Sequence, residues 1–232
     1  MKKSILTING QQLTLEHSPR LKKIHITMNP QDGIIVRVPV GCPRKRAEAV
    51  VKEHWSQLST NLARIRKKCP RREYNSGQQI PLLDEQLSLQ FGAGDAFQAT
   101  LRDRTIFITP RKAEREIVRE LVAGIYRQIA QDYMPRRVAY LNQRHFQFHY
   151  NQVKVRDQQS ILGSCSGGRN LNINFRLLLA PVAVVDYVLL HELAHLQEMN
   201  HSPRFWGLVE GACPNYREHL HWLKENGMCL YI

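Results

Sequence analysis

The sequence has no apolar run approaching the roughly 18 residues that a helix needs to span a bilayer, so no membrane partner is expected. It also lacks a signal-peptide pattern at its N-terminus, because Asn9-Gly10-Gln11-Gln12 interrupts the apolar stretch that begins at Ile5. Its five cysteines include no Cys-x-x-Cys pair, which argues against a cysteine zinc finger. These features predict a cytoplasmic protein.

Acidic residues are scarce in the first third of the chain. The whole sequence has 33 Lys+Arg and 20 Asp+Glu, a formal net charge of +13. Residues 1–72 hold 16 basic and 4 acidic residues, a net of +12, while residues 73–232 hold 17 and 16, a net of +1. Two basic clusters occur in this region, Arg44-Lys45-Arg46 and the positions between 64 and 72. Such a surface either keeps the protein soluble or faces a polyanion such as a nucleic acid.

The order of residue patterns predicts an α+β protein. Short β-branched and aliphatic runs predict strands at 13–15, 24–26 and 34–38, the last two forming a hairpin. After Pro43, an apolar stripe from Ala47 to Leu62 predicts one helix. Further strands are expected up to Thr109, followed by a long helix over about 111–134 that Pro135 kinks or ends.

An H-E-x-x-H motif, His191-Glu192-Leu193-Ala194-His195, lies on a helix predicted from Pro181 to about Met199. Histidines four residues apart share one helical face, so both imidazoles can reach a single metal ion. Glu192 is placed beside that ion, where it can accept a proton from a metal-bound water. The alternative is a chance match, which the rarity of histidine makes uncommon.

A third histidine, His201, lies six residues after His195. This is the ligand spacing of the pattern H-E-x-x-H-x-x-G-x-x-H, although Glu198 stands where that pattern has glycine. Asn200 is a residue type that can reverse the chain in the left-handed conformation, and Ser202-Pro203 predicts the start of a new helix. Three imidazoles with one open position are typical of catalytic zinc sites.

Several segments resemble the YgjP-like metallopeptidase domain family, a zincin-type group with affinities to SprT-like proteases. They are Leu162-Gly163-Ser164-Cys165-Ser166, the Asp186-Tyr187-Val188 approach to the H-E-x-x-H motif, and the stretch from Asn200 to Trp206. The resemblance is most specific over 153–222, and Leu162 departs from it because the family usually has tryptophan there.

This resemblance implies a zincin-like domain over 111–232, with helices packed on a small antiparallel sheet. It would follow an N-terminal β-rich basic region over 1–110. The resemblance also implies a peptide or protein substrate, Zn²⁺ bound by His191, His195 and His201, and Glu192 as the catalytic acid/base.

Further site residues are candidates only. Oxyanion donors are sought among residues that follow the motif in sequence: Arg204, Tyr216, His219 and His221. The hairpin around residues 164–175 is the candidate edge for an extended substrate. Cys165 is either a small buried thiol or a thiolate that approaches the metal.

Two functional hypotheses follow. The first is a zinc-dependent metallopeptidase that uses an activated water and Glu192. The second is a nucleic-acid-binding protein with a structural or vestigial zinc site, motivated by the basic segment. The two combine in a protease that acts on nucleic-acid-associated proteins.

Overall fold

The computed structural model describes residues 3–94, 97–109, 114–158 and 161–232. Over these ranges it contains six α-helices and eleven strands, which makes the protein α+β. The chain divides into two compact units, residues 1–72 with Tyr231 and residues 73–230 with Ile232. The boundary predicted from the sequence lies at 110/111 instead. The difference arises because residues 73–109 build a sheet whose buried side chains belong to the same core as the helices that follow.

The N-terminal unit begins with a four-stranded mixed sheet in the order β1-β2-β4-β3. The predicted hairpin is confirmed, since β3 and β4 pair in antiparallel fashion with Asn29 opposite Gly33. Gly33 closes the turn with a φ of +75°, a conformation that glycine adopts without strain. By contrast, β2 and β4 pair in parallel. The strands are β1 (Lys3–Ile8), β2 (Gln11–Ser18), β3 (His25–Asn29) and β4 (Gly33–Pro39).

Two helices follow this sheet, α1 (Arg44–Glu53) and α2 (Trp55–Lys68). The prediction of a single helix is wrong at His54, whose φ of −100° and ψ of 8° leave the helical region. The apolar stripe nevertheless continues across the break. Its buried members, Ala47, Val51, Leu58 and Leu62, share one core with the sheet.

The C-terminal unit starts with a second mixed sheet in the order β5-β6-β8-β7. Leu87, Leu89, Ile106 and Ile108 alternate along its central strands and are fully buried or nearly so, as expected for a sheet with one face against a core. The strands are β5 (Gln79–Leu82), β6 (Glu85–Phe91), β7 (Gln98–Arg102) and β8 (Thr105–Thr109).

Helix α3 (Arg115–His145) is the long helix of this unit. Its predicted start at 111 lies outside the described residues. Helix α3 continues through Pro135 to His145, so this proline does not end the helix. Met134 and Val138 are completely buried on either side of Pro135, so packing holds both halves in one helix. No described helix combines the length and apolar character needed to cross a bilayer.

A third sheet and three helices complete the unit. The sheet has the order β10-β11-β9, so β10 is an edge strand. The prediction of an antiparallel sheet holds for β10 and β11 but is wrong for β9 and β11, which pair in parallel because the β10–β11 hairpin returns the chain along β9. The elements are β9 (Gln152–Arg156), β10 (Gly163–Cys165), β11 (Asn170–Asn174), α4 (Val182–Ala194), α5 (Pro203–Ala212) and α6 (Tyr216–Asn226), with 3₁₀ helices at Phe175–Leu179 and Gly227–Cys229.

Candidate metal centre

Helix α4 holds the H-E-x-x-H motif at its C-terminal end. Most of its residues are buried, including Val185 and Leu189 at 0% exposure, so tertiary packing fixes the helix in place. His191 and Glu192 lie in its last turn, and His195 is the residue that ends it. The i, i+4 spacing brings the first two imidazoles together, with ring centroids 4.9 Å apart.

His201 reaches the same place from the short connection between α4 and α5. The predicted helix start is confirmed: Ser202 caps α5, and its hydroxyl accepts a hydrogen bond from the Phe205 N–H at 3.3 Å. The chain reverses differently from the prediction. Asn200 is not among the described residues with positive φ, and its carbonyl instead accepts a hydrogen bond from the Ser202 N–H at 2.8 Å.

The three imidazoles are arranged as a metal site requires. One nitrogen from each of His191, His195 and His201 can be chosen so that all three lie within 4.8 Å of one another. The Nε2 atoms of His191 and His201 are 3.1 Å apart. Two nitrogen ligands at 2.0–2.1 Å from a tetrahedral zinc would be separated by about 3.3 Å. The residues therefore fit a metal ion of this kind.

The second ring nitrogens of His191 and His195 differ in their surroundings. Nδ1 of His195 donates to the carbonyl of Glu198 at 3.0 Å, which fixes the ring and leaves Nε2 as its free lone pair. Glu198 stands where the pattern H-E-x-x-H-x-x-G-x-x-H has glycine, and it contributes through its backbone carbonyl. Nδ1 of His191 is buried and has no hydrogen-bond partner in the part of the chain that the structure describes. Its Nε2 is the nitrogen that faces His201.

The electrostatics of the cluster favour neutral imidazoles. Burial, followed by the nearby charges of His195 and His201, lowers the pKa of His191 to about 4. Burial is also the main reason that the pKa of His195 is lowered. A neutral imidazole offers the lone pair that a metal ligand needs, so these shifts prepare the site for metal binding.

Glu192 follows His191 on α4, lies against Gly163 of β10, and is 6% exposed. Burial raises the pKa of its carboxyl group to about 7, while a hydrogen bond from the Cys165 backbone acts in the opposite direction. A carboxyl group with a pKa near neutrality can both accept and return a proton at physiological pH.

Strand β10 approaches Glu192 very closely at Gly163. A Cβ atom added to Gly163 would lie 2.6 Å from Oε1, 2.7 Å from Cγ and 2.8 Å from Cδ of Glu192. The glycine therefore provides space that the carboxylate occupies. The contact between residues 163 and 192, which are far apart in sequence, was not predicted. The segment from Leu162 to Ser166 was singled out only as part of the family resemblance.

Aromatic side chains, which sequence reasoning did not assign to the site, form one wall of the cluster. Phe205 is completely buried, and its ring centroid lies between 4.5 and 4.8 Å from those of all three histidines. Trp206 stacks on His201 at 5.7 Å and on Tyr216 at 5.3 Å. The available signal was the Ser202 cap, which places Phe205 in the first turn of α5, close in sequence to His201.

The remaining sequence candidates lie at varying distances from the cluster. Tyr216 is buried and reaches it through Trp206 and through Tyr187, which contacts His191. His219 contacts Tyr187 with centroids 6.2 Å apart and lines a cavity of about 360 Å³ together with Asp186 and Cys213.

Arg204 and His221 are exposed, and no described contact joins them to the cluster. Burial raises the pKa of the Cys165 thiol to about 11, which disfavours the thiolate.

An α+β unit that gathers three histidines and a buried glutamate has the side chains that metallopeptidases use. Comparison with known families gives the same class. Residues 22–226 match the YgjP-like metallopeptidase domain, and the chain belongs to this family.

Comparisons with individual proteins add little. No curated protein matches the chain significantly. Part of the chain is similar to the crystal structure of the metallopeptidase zymogen of Pyrococcus abyssi abylysin, with 21% identity and a TM-score of 0.36. That match covers 39% of this chain and 91% of the other.

Proposed function

We propose that this metallopeptidase is zinc-dependent, with His191, His195 and His201 as the ligands and Glu192 as the general acid/base. The observation behind this proposal is the convergence of three imidazoles next to a buried carboxyl group with a pKa near neutrality. The donor set supports zinc, because neutral imidazoles suit this ion and calcium or magnesium would need oxygen ligands.

Three histidines also support a catalytic rather than a structural site. Structural zinc sites use four protein ligands, whereas catalytic sites use three and leave a position open. In the described part of the chain the cluster contains three residues, and His201 is exposed, so substrate has access to this side. Zinc held by these three histidines would supply Lewis-acid chemistry, polarising a carbonyl group and lowering the pKa of water toward about 7.

Glu192 moves the proton in this reaction. Its carboxylate accepts the proton that the attacking water loses, and it then donates that proton to the amine of the departing peptide product. The Cys165 backbone N–H and the close approach of Gly163 hold the carboxylate in one orientation. Both contacts come from β10, so this strand positions the acid/base.

The substrate is a peptide or protein segment that binds in extended form along β10. This strand is at the edge of its sheet, pairs with β11 on one side, and lies next to α4. Backbone pairing to an edge strand recognises an extended chain irrespective of most of its side chains. It would place the scissile carbonyl beside the imidazoles.

Metal analysis combined with a cleavage assay tests this proposal. The wild type, His201→Ala and a control, His25→Ala, which changes an exposed histidine on β3, are compared for zinc content and for hydrolysis of a proteome-derived peptide library. We expect one zinc per chain in the wild type and the control, and loss of both zinc and hydrolysis in His201→Ala. Full zinc occupancy and hydrolysis in His201→Ala would contradict the ligand assignment.

A further inference from the structure

Helices α1 and α2 of the N-terminal unit expose basic side chains on the side turned away from their core. The two helices bury Ala47 and Val51 in α1, and Leu58 and Leu62 in α2, against the sheet. Helical geometry then turns residues two or five positions away from these toward solvent. Four of those outward positions are basic and exposed: Lys45, Lys52, Arg64 and Lys67. We call these four residues the basic helix face.

The few acidic residues of this unit do not neutralise that face. Glu16 is buried in the sheet, where it pairs with Lys3 and Arg37. Glu48 pairs with Arg44 one turn along α1. Over residues 3–72, no carboxylate lies within ion-pair distance of any member of the basic helix face. These four cations are therefore available to a partner.

The residues between these cations indicate what that partner is. The other outward positions of the two helices are Arg46, Ala49, Glu53, Ser56, Gln57, Thr60 and Ala63. Most of these are small or carry hydroxyl or amide groups that can donate to phosphate oxygens, and Glu53 is the one acid among them. None of the exposed large hydrophobic residues of the described chain lies in α1 or α2. A membrane-binding helix needs such residues to enter the lipid, and a single-strand-binding surface needs exposed aromatic rings for base stacking.

We propose that the basic helix face binds the phosphate backbone of a double-stranded nucleic acid, independently of sequence and of the metal centre. Fixed cations on rigid helices suit the regular phosphate array of a duplex. This surface would give the enzyme a site of attachment, because the C-terminal unit that contains the histidine cluster comes from a nearly neutral stretch of sequence.

The test is a salt titration of binding to a fluorescent 25-base-pair DNA of mixed sequence, measured by anisotropy with the full chain. The variant K45Q/K52Q/R64Q/K67Q is compared with a matched control, R102Q/R144Q/K154Q/K224Q, which removes the same charge from exposed positions of the C-terminal unit. Each phosphate contact contributes about 0.9 to the slope of log K against log salt. We expect the first variant to lose about 3 to 4 from that slope and to bind at least about 10-fold more weakly.

The control variant and Glu192→Gln should keep most of the wild-type affinity and slope. The pair variant K45Q/K52Q should lose about half as much slope, a graded effect that misfolding would not produce. Equal losses in the quadruple variant and its control would overturn the proposal, since net charge alone would then explain binding. So would binding that is restricted to single-stranded RNA or to anionic lipid vesicles.

Discussion

Substituting Gly163 with alanine tests how Glu192 is positioned. The backbone of Gly163 is not in the left-handed region, so alanine can adopt its conformation without strain. The added methyl carbon would meet Oε1 of Glu192 at 2.6 Å. Ordinary carbon–oxygen contacts begin near about 3.4 Å, so the carboxylate would have to withdraw by about 0.8 Å.

That displacement should act on turnover rather than on metal binding. A misplacement of about 1 Å in a catalytic group can reduce the rate by about 100-fold, so we expect kcat to fall by about 10- to 100-fold. The three atoms nearest to the added carbon all belong to Glu192, none to a histidine. Zinc content, measured by elemental analysis, should therefore match that of the wild type.

Gly124→Ala is the matched control. This glycine lies inside α3, where an added Cβ has no heavy atom within 4 Å. The substitution should leave hydrolysis unchanged and stabilise the protein by about 0.5–1 kcal/mol, because alanine favours the helix. If zinc-loaded Gly163→Ala hydrolysed peptides at the wild-type rate, the close approach of β10 to Glu192 would have no role in catalysis.

Three other predictions concern the surroundings of the site. Phe205→Leu should lower the stability by about 1–2 kcal/mol and weaken zinc binding in a chelator competition, because the buried ring contacts the histidines. The control Phe107→Leu, at an exposed position of β8, should change neither quantity. Unchanged zinc affinity in Phe205→Leu would refute the role of the aromatic wall. Cys165, whose thiol pKa is raised to about 11, should react with iodoacetamide at pH 7.5 about 100-fold more slowly than in the unfolded chain, because far less thiolate is present. Mass spectrometry measures the modification, and equal rates in the folded and unfolded protein would contradict this prediction. Asp186→Asn breaks the two-bond ion pair between Asp186 of α4 and Arg137 of α3, and should lower the free energy of unfolding by about 1–2 kcal/mol in denaturant. Glu120→Gln breaks an exposed ion pair with Arg127 and should lower it by less than about 0.5 kcal/mol. Equal losses in the two variants would show that the Asp186 pair stabilises the protein no more than an exposed pair does.

Local sequence patterns predicted the parts of the site that depend on local geometry. The clustering of His191 and His195 follows from four-residue spacing on a helix, and the position of His201 follows from a cap that starts the next helix. The β3–β4 hairpin was predictable for the same reason, since its turn and both strands lie within a few residues of one another.

Features that depend on tertiary packing could not be read in this way. The break at His54 interrupts an apolar stripe that is continuous in sequence, and the burial on both sides of Pro135 overrides its tendency to end a helix. The fit of Gly163 against Glu192 joins a strand and a helix that are separated in sequence by β11 and a 3₁₀ helix. Residue spacing does not predict such contacts, because these contacts form only when the core assembles.

The most direct test of the account is the comparison of wild type with Glu192→Gln in one experiment that measures zinc content and peptide hydrolysis. The substitution keeps the size of the side chain and removes its ability to exchange a proton. We expect one zinc per chain in both proteins and a loss of hydrolysis of at least about 100-fold in the variant. Zinc-loaded Glu192→Gln that hydrolyses peptides as fast as the wild type would contradict the proposed mechanism.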